Sequence, residues 1–270
     1  MQCAYGAGAL IALAEEYGLT EPDFLFAPSG AATSAAYYLA GQYEKVSVMW
    51  MSFASDPKFI SLTSRPIVNI DYLVDLLKKE IPLDLRKLKK NKSNLLFPVA
   101  RARDSKLVYL HAKRTREIYT QIHATLAAPY IYGKKVNIRG VQYMDGFFGY
   151  SIHEYMQHAV KLGATDIIVL SSSAHEYRGV TKAFLKSVST YGSYVGVDPA
   201  VVAVTKRAMQ PDIDFTPPSG VRVALVVPPK RMPLSVLGGS KFNYRKVFND
   251  GYEAAVKSAE VRKLLSGGVV

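Results

Sequence analysis

The sequence predicts an α/β fold, in which a mostly parallel sheet carries helices on both faces. Short apolar runs typical of buried strands occur at residues 24–26, 166–170 and 221–227. Stretches with helical periodicity separate these runs, and such alternation is typical of strand–helix–strand units. We find no internal repeat, low-complexity tract or linker, so the 270 residues are predicted to form one domain.

The composition excludes several classes of protein. With 49% hydrophobic and 21% charged residues, the chain has an ordinary globular composition. Its one cysteine, Cys3, excludes an internal disulfide framework and fits a reducing compartment. No apolar run approaches the roughly 20 residues that a membrane-spanning helix needs. Residues 9–14 resemble the end of a secretory signal, but no basic region precedes them and helical residues follow, so we expect a cytoplasmic protein.

Helices and short strands follow one another along the chain. Residues 2–18 predict an alanine- and leucine-rich helix, in which Gly6 and Gly8 indicate either close packing of the backbone or the entry from a loop into the helix. Residues 24–26 predict a strand, and residues 32–41 predict a helix that ends at Gly41. Further helices are expected at 42–52, 67–80, 83–90, 115–127, 152–162, 180–209 and 243–265. Further strands are expected at 94–102, 106–110, 135–138, 141–144, 166–170 and 221–227.

Ser29 lies on a turn between the strand predicted at 24–26 and the helix that follows it. The run Ala-Pro-Ser-Gly-Ala at 27–31 consists of small residues. A nucleophile elbow places its serine on such a turn, where the side chain is exposed and backbone N–H groups at the helix N-terminus point at the same spot. The usual elbow has glycine at both ends of this run, so a serine that only caps the helix is an open alternative.

The net charge of +12 is concentrated in the middle of the chain. Residues 81–140 contain 14 lysines and arginines against 3 aspartates and glutamates. Such a segment favours anionic surfaces, either membrane headgroups or nucleic acid, although a solvated protein face is the simpler interpretation. We call it the basic belt, and its members are Arg86, Lys87, Lys89, Lys90, Lys92, Arg101, Arg103, Lys106, Lys113, Arg114 and Arg116.

Four segments occur in a fixed order along the chain. They are Gly-Ala-Gly-Ala-Leu at 6–10 with Glu-Glu-Tyr-Gly at 15–18, the serine turn leading into Ala-Ala-Tyr-Tyr-Leu-Ala-Gly at 35–41, Ala-Thr-Leu-Ala-Ala-Pro at 124–129, and Val-Asn-Ile-Arg-Gly-Val-Gln-Tyr-Met-Asp-Gly at 136–146. Together they resemble the patatin-like phospholipases, in particular the bacterial branch of that family. The runs at 69–75 and 79–84 also look like the bacterial members, so the resemblance extends over nearly the whole chain, to about residue 265.

The resemblance implies a three-layer sandwich fold and a Ser-Asp dyad without histidine. Ser29 matches the family's nucleophile, and Asp145, which Gly146 follows, matches its catalytic partner. Asp145 would orient and deprotonate the Ser29 hydroxyl, which would then attack an ester carbonyl. Water would release the acyl chain from the enzyme.

The resemblance also implies the surroundings and partners of the dyad. Backbone N–H groups around Gly30, Cys3 and Ala4 would hold the oxyanion. The substrate would be a phospholipid, a lysophospholipid or a simple acyl ester, and no cofactor or metal is expected. The basic belt would contact an anionic membrane at its inner surface, which would place the protein there peripherally.

Three features depart from the family's pattern. Where the family has a glycine-rich oxyanion loop, residues 1–3 read Met-Gln-Cys, so an N-terminal strand and the leading glycines are expected to be missing. Ala27 and Ala31 replace the glycines of the elbow, and Phe147 stands where the family prefers a small residue and is expected to crowd the dyad. These departures leave open a catalytically impaired protein of the same fold that binds lipid or a protein partner.

Two other functions remain as alternatives. A triad of Ser29, Asp145 and His175 would follow the chain order of α/β hydrolases, but in that fold the elbow comes after several strands. A nucleic-acid binder that uses the basic belt lacks a recognisable reading motif. The remaining histidines lack the spacing of metal ligands, so structural or exposed positions are expected for His111, His123, His153 and His158.

Overall fold

The computed structural model describes residues 2–61, 63–64, 66–114, 117–171, 186, 190, 196–208, 215–228, 232–234 and 239–267. Its helices are α1 (Cys3–Glu15), α2 (Ala31–Leu39), α3 (Tyr43–Val48), α4 (Ile70–Lys79), α5 (Leu85–Lys90), α6 (Ile118–Leu126), α7 (Ile152–Lys161), α8 (Pro199–Ala208), α9 (Lys241–Lys257) and α10 (Ala259–Leu265). Its strands are β1 (Phe24–Phe26), β2 (Asn94–Arg101), β3 (Leu107–His111), β4 (Val136–Ile138), β5 (Val141–Asp145), β6 (Asp166–Leu170) and β7 (Arg222–Val226). This order of elements confirms the α/β class.

Local sequence signals account for the boundaries of several elements. Arg139 and Gly140 both have positive φ angles, 52° and 84°. Two successive residues with positive φ form the tight turn whose twist matches that of the paired strands it joins. They connect β4 to β5 where the hairpin was predicted. Asn69 and Asp84 cap α4 and α5 by accepting hydrogen bonds from backbone N–H groups of the first turn. Half of the helix predicted at 180–209 falls outside the described residues, and α8 covers its end.

The larger sheet is mixed, so the expectation of mostly parallel pairing is wrong for it. β2 pairs in parallel with β1 but antiparallel with β3 and β5, and β4 is antiparallel to β5. The connections explain the difference, because five residues join β2 to β3 and two residues join β4 to β5. Parallel neighbours need a crossover of a dozen or more residues, so connections this short can only join antiparallel strands.

β1 and β5 share one edge of β2 and meet end to end along it. β1 pairs with residues 94–96 of β2 and β5 with residues 99–101, while β3 pairs with residues 96–100 on the opposite edge. Because β1 is parallel and β5 antiparallel to β2, their carboxyl ends meet opposite Phe97 and Pro98. Proline has no backbone N–H that would be left unpaired at this gap.

β6 and β7 form a separate parallel pair whose burial is incomplete. The sequence Asp-Ile-Ile-Val-Leu predicts a fully buried strand, but only Val169 of β6 is buried and Asp166 is exposed. In contrast, residues 95–100 of β2 are all buried. The expected full burial of β6 is therefore wrong, and within the part of the chain that the structure describes the strand has a paired neighbour on one edge only.

α1 packs against α9 at a separation that only glycine allows. A Cβ atom on Gly8 would overlap the carbonyl oxygen of Phe248, and one on Gly251 would overlap the carbonyl oxygen of Tyr5. The close packing predicted at Gly8 is thus confirmed. Residues 7–14 of α1 are all buried, so this helix lies inside the molecule rather than on its surface.

Candidate active site

Ser29 lies on a sharp turn between β1 and α2. Its φ of 51° is in the left-handed region, which is strained for a residue with a side chain. Gly30 is the N-cap of α2, so the turn leads directly into the positive end of that helix. Strain at one serine between a strand and a helix N-terminus is the geometry of a nucleophile elbow.

Thr125 on α6 holds the backbone of this turn. Its hydroxyl oxygen accepts a hydrogen bond from the Ser29 N–H at 2.9 Å and donates one to the carbonyl oxygen of Pro98 at 3.0 Å. The Thr125 side chain is fully buried. One hydroxyl therefore joins the serine turn to the centre of β2, at the gap where β1 and β5 meet.

Asp145 ends β5 and lies on the other side of the same gap. Its side chain is buried, and Oδ1 accepts a hydrogen bond from the Phe147 N–H at 2.9 Å. Gly146 lets β5 approach β2 closely at this point, because a Cβ atom there would lie 2.9 Å from the carbonyl carbon of Pro98. The sheet topology thus brings Ser29 and Asp145 together from positions 116 residues apart in the sequence.

Burial raises the pKa of the Asp145 carboxyl to about 7, although interactions with the Ser29 side chain and the Phe147 N–H lower it. Oδ2 makes no hydrogen bond with the described residues. The Ser29 hydroxyl is thus close enough to affect the carboxylate without a hydrogen bond of good geometry. Catalytic hydrogen bonds are often long in a free enzyme and tighten when substrate binds, so this arrangement is compatible with a dyad.

The start of α1 lies beside the serine turn. A Cβ atom on Gly30 would come within 3.1 Å of the Cys3 sulfur, so these two residues are in close packing. The side chain of Ala4 is buried in the hydrophobic core and does not line the cleft at the dyad. The N-termini of α1 and α2 therefore converge near Ser29, and Cys3 is the predicted α1 residue nearest to it.

The dyad opens into a largely apolar cleft of about 1150 Å³. Ser29, Gly30 and Asp145 line one part of it. Phe147 also lines the cleft, and the residue is 53% exposed. The expected crowding of the dyad by Phe147 stays a prediction, because Phe147 borders the same cleft as Ser29 and Asp145.

Sequence reasoning missed the roles of Thr125 and Tyr155. Thr125 belongs to the quoted run at 124–129, so a signal was present, but its hydrogen-bond partners are distant in the sequence. Tyr155 on α7 lines the cleft, and its buried hydroxyl has no hydrogen-bond partner among the described residues. Burial raises the pKa of Tyr155 well above its usual value, and the charge of Asp145 raises it further.

The described histidines lie away from the dyad. None of them lines the cleft. His123 shares a hydrogen bond of 2.7 Å with the Tyr132 hydroxyl, and the His158 ring stacks on Tyr109 at 4.1 Å between centroids. His175 of the alternative triad lies outside the described residues. Within the described ranges, no group of three or more His, Cys, Asp or Glu side chains could hold a metal ion.

The basic belt is divided between the two ends of β2. One group, residues 86–92, precedes the strand, and the other, residues 101–106, begins at its last residue. At about 3.3 Å per residue, an eight-residue strand separates them by on the order of 23 Å. β1 runs into Ser29 in the direction of the second group, so residues 101–106 lie toward the dyad. Arg101 is paired with Asp104 at 2.6 Å, and the Arg103 side chain, which is 73% exposed, lies 3.8 Å from the same carboxylate.

Comparison with known protein families and with characterised proteins found no match for this chain. Across the parts of the chain that the structure describes, none of the helices combines the length and apolar character needed to cross a bilayer.

Proposed function

We propose that this chain is a lipid acyl hydrolase of the phospholipase, lysophospholipase or carboxylesterase type. The observation that carries the proposal is the meeting of Ser29, on a strained turn at a helix N-terminus, with Asp145, a buried carboxyl group whose pKa is near 7. The resemblance to patatin-like phospholipases supports the same pair. On this proposal the fold is the three-layer sandwich of that family, with helices on both faces of the sheet.

Asp145 acts as the general base for Ser29. It takes the hydroxyl proton as the serine oxygen bonds to the ester carbonyl carbon, and the protonated carboxyl then gives that proton to the departing alcohol. In the second half of the reaction Asp145 removes a proton from water, which attacks the acyl carbonyl carbon. Asp145 then gives this proton to the Ser29 oxygen as the acyl–oxygen bond breaks, which frees the acid and restores the serine hydroxyl. A pKa near 7 suits both roles, because the group must accept and return a proton near neutral pH.

The N-termini of α1 and α2 supply the positive field for the oxyanion. Backbone N–H groups at Gly30 and near Cys3 are the donors we assign, since unpaired N–H groups at a helix start favour negative charge. Such donors stabilise the tetrahedral intermediate, and loss of one typically costs on the order of 10²–10³ in rate.

The cleft suits an acyl substrate because most of its lining is apolar. Residues 101–106 lie toward the dyad, and we assign the contact with an anionic membrane to them. The protein would act in the cytoplasm and meet the inner membrane surface peripherally, without a cofactor.

A catalytically impaired protein of the same fold is the second candidate. The observation that favours it is the Asp145 Oδ2 atom, which makes no hydrogen bond to Ser29 in the described structure. Such a protein would bind lipid or a protein partner in the cleft without turnover.

Hydrolysis of a short-chain p-nitrophenyl ester tests the proposal. We expect the unaltered chain to be active, and Ser29→Ala and Asp145→Ala each to lose at least about 10³-fold in kcat. His175→Ala should keep the activity of the unaltered chain. Circular dichroism and an unfolding curve on each variant would separate lost chemistry from lost structure.

An unaltered chain that is folded but inactive, and that binds phospholipid vesicles, would favour the second candidate. Activity that survives Ser29→Ala would overturn the dyad. Activity lost in His175→Ala while the fold is kept would favour the histidine triad.

A further inference from the structure

Two buried polar atoms beside the dyad have no hydrogen-bond partner within the described ranges. One is Oδ2 of Asp145, whose other carboxylate oxygen accepts the Phe147 N–H, and the second is the hydroxyl of Tyr155 on α7. Asp145 is 1% exposed and Tyr155 is 5% exposed. A buried polar atom without a partner is destabilising, so a native structure that keeps two of them side by side calls for a bound molecule or a catalytic role.

The sheet places Tyr155 close to Asp145. Tyr109 of β3 lies opposite Pro98 on one edge of β2, and Asp145 lies opposite Val99 on the other edge. Two strand spacings therefore separate Tyr109 from Asp145, which is on the order of 10 Å between their backbones. The Tyr155 ring packs edge-on against the Tyr109 ring, with 6.3 Å between the centroids. α7 thus holds Tyr155 beside the part of the sheet that carries Asp145.

The two unpartnered atoms have complementary roles in hydrogen bonding. Burial, and then the charge of Asp145, hold the pKa of the Tyr155 hydroxyl well above its usual value, so this group stays an O–H donor wherever Asp145 titrates. The ionised Oδ2 atom of Asp145 is an acceptor. The two atoms do not bond to each other, although both residues line the same cleft as Ser29. A molecule that joins them has to accept a hydrogen bond from Tyr155 and donate one to Asp145.

Water is the smallest molecule that can bond to both atoms. Its oxygen accepts hydrogen bonds and its hydrogens donate them, whereas an acyl chain does neither. We propose that Tyr155 is a further catalytic residue, which holds the water molecule that hydrolyses the acyl-enzyme. This inference rests on the proposed function, since it assigns a role within the second half of that reaction.

The geometry divides the work of this step between the two side chains. The Tyr155 hydroxyl donates a hydrogen bond to the water oxygen, while one water hydrogen points at Asp145 Oδ2. The remaining lone pair of the oxygen attacks the acyl carbonyl carbon as the proton passes to Asp145. The bond from this carbon to the Ser29 oxygen then breaks, and Asp145 returns the proton to that oxygen. The products are the free acid and the serine hydroxyl, and Tyr155 keeps its own proton throughout.

Other tyrosines of the structure do not fit this role. Tyr38 and Tyr150 line the cleft, but their hydroxyls donate to backbone carbonyl oxygens. Tyr244 on α9 is fully buried and its hydroxyl also has no partner among the residues described, but it does not line the cleft. Of the described tyrosines, Tyr155 is the one that combines a position in the cleft with an unpartnered hydroxyl.

A p-nitrophenyl ester separates the two halves of the reaction. The p-nitrophenolate anion leaves without a proton donor, so formation of the acyl-enzyme should not need Tyr155. We expect Tyr155→Phe to keep the kcat/KM of the unaltered chain, with kcat and KM both lowered by about tenfold or more. Stopped-flow measurement should show a burst that approaches one p-nitrophenolate per protein molecule. Once free ester is removed, intact-mass measurement should show the acyl group on Ser29 decaying about tenfold more slowly than in the unaltered chain.

Tyr244→Phe is the matched control. It removes the same hydroxyl from a similarly buried site outside the cleft lining, so the acyl-enzyme should decay at the rate of the unaltered chain. Neither hydroxyl bonds to a described residue, so urea unfolding of both variants should give curves close to that of the unaltered chain. The two variants should thus be alike in stability and differ in deacylation.

Unchanged decay of the acyl-enzyme in Tyr155→Phe would overturn the role of Tyr155 and leave the proposed function intact. So would a loss in kcat/KM that equals the loss in kcat, because the hydroxyl would then act before the acyl-enzyme forms. Slow decay in Tyr244→Phe as well, or a clear loss of stability in Tyr155→Phe alone, would assign the effect to packing and overturn the role too. Absence of p-nitrophenolate release from the folded, unaltered chain would overturn the hydrolase itself, and this inference with it.

Discussion

The two flanks of Ser29 differ in how completely they are bonded. On the side of β2, β5 and α6, the Ser29 N–H bonds to Thr125, Thr125 bonds to Pro98, and Asp145 bonds to its own following turn. On the side of β6, the neighbouring edge of β1 faces a cleft. The bonded flank, formed by β2, β5 and α6, therefore sets the position of the dyad. Substitutions on it should change stability and activity much more than substitutions on the open flank, on the side of β6.

The largest effect is expected from Asp145→Asn. The folded-state pKa of Asp145, about 7, lies above the usual 3.8, so the unfolded chain loses this proton more readily. As pH rises from about 4 to 7 the native state loses about 4 kcal/mol of stability that the variant retains. The difference in unfolding free energy between variant and unaltered chain should thus grow over this range and level off above pH 7.

Urea unfolding at pH 5, 6, 7 and 8 measures this dependence. Asp104→Asn is a control of opposite sign, because the hydrogen bond from Arg101 holds the pKa of Asp104 at about 2. That variant should lose stability at neutral pH relative to acid pH. If the difference in unfolding free energy between Asp145→Asn and the unaltered chain does not change with pH, the Asp145 carboxylate is not buried as described.

The second-largest effect is expected from Gly146→Ala, which should destabilise the bonded flank. The added Cβ would lie 2.9 Å from backbone atoms of β2 at Pro98 and Val99, and a backbone cannot move aside as a side chain can. Overpacking of this kind typically costs about 1–3 kcal/mol, and we expect the upper end of that range here because the contact is with backbone. Urea unfolding would measure it. Gly30→Ala is the matched control, since its nearest neighbour is the Cys3 sulfur and a smaller loss is expected.

Thr125→Val tests the hydrogen bonds that hold the serine turn. The substitution keeps the shape but leaves the Ser29 N–H and the Pro98 carbonyl without their partner, at a cost of about 2 kcal/mol. We expect kcat of Thr125→Val to fall while KM changes little. Thr125→Ser keeps the hydroxyl and should restore both the stability and kcat. Ile168→Thr, on the open flank, should change stability by less than about 1 kcal/mol. Equal losses of stability in Thr125→Val and Ile168→Thr would contradict the proposed difference between the two flanks.

The smallest effect concerns the charges near the dyad. Replacing Arg103 and Lys106 with glutamine should weaken hydrolysis on anionic vesicles and reduce its dependence on salt, by about 1 kcal/mol of membrane binding for each charge. Lys87 and Lys90 lie at the other end of β2, and the same change there should have little effect. Rates that are equal at low and high salt in the unaltered chain would exclude a role for either group.

Local features of this fold could be predicted from the sequence, whereas its long-range pairing could not. The hairpin at Arg139 and Gly140 and the turn at Ser29 depend on a few adjacent residues, and both lie where they were predicted. The end-to-end meeting of β1 and β5 depends on which edge of β2 each strand occupies, and no local pattern encodes that choice. This is why the sheet was expected to be mostly parallel and is mixed.

The same limit applies to the candidate site. Ser29 and Asp145 were matched through motifs, and the structure brings them to one gap in the sheet. The role of Thr125 depends on partners 96 and 27 residues away, which the motif does not reveal. The half-burial of β6 could not be foreseen either, because the composition of a strand does not tell how many neighbours it has.

The glycine contact between α1 and α9 links segments that are distant in the sequence, and this has a consequence for synthesis. α1 leaves the ribosome before the surface that receives it, which belongs to residues 241–257. Contacts between such distant segments form late, since the intervening chain must be ordered first. We therefore expect Cys3 to reach its place beside Gly30 only after residues 241–257 have been made, so a nascent chain would carry its serine turn long before the neighbouring helix is fixed beside it.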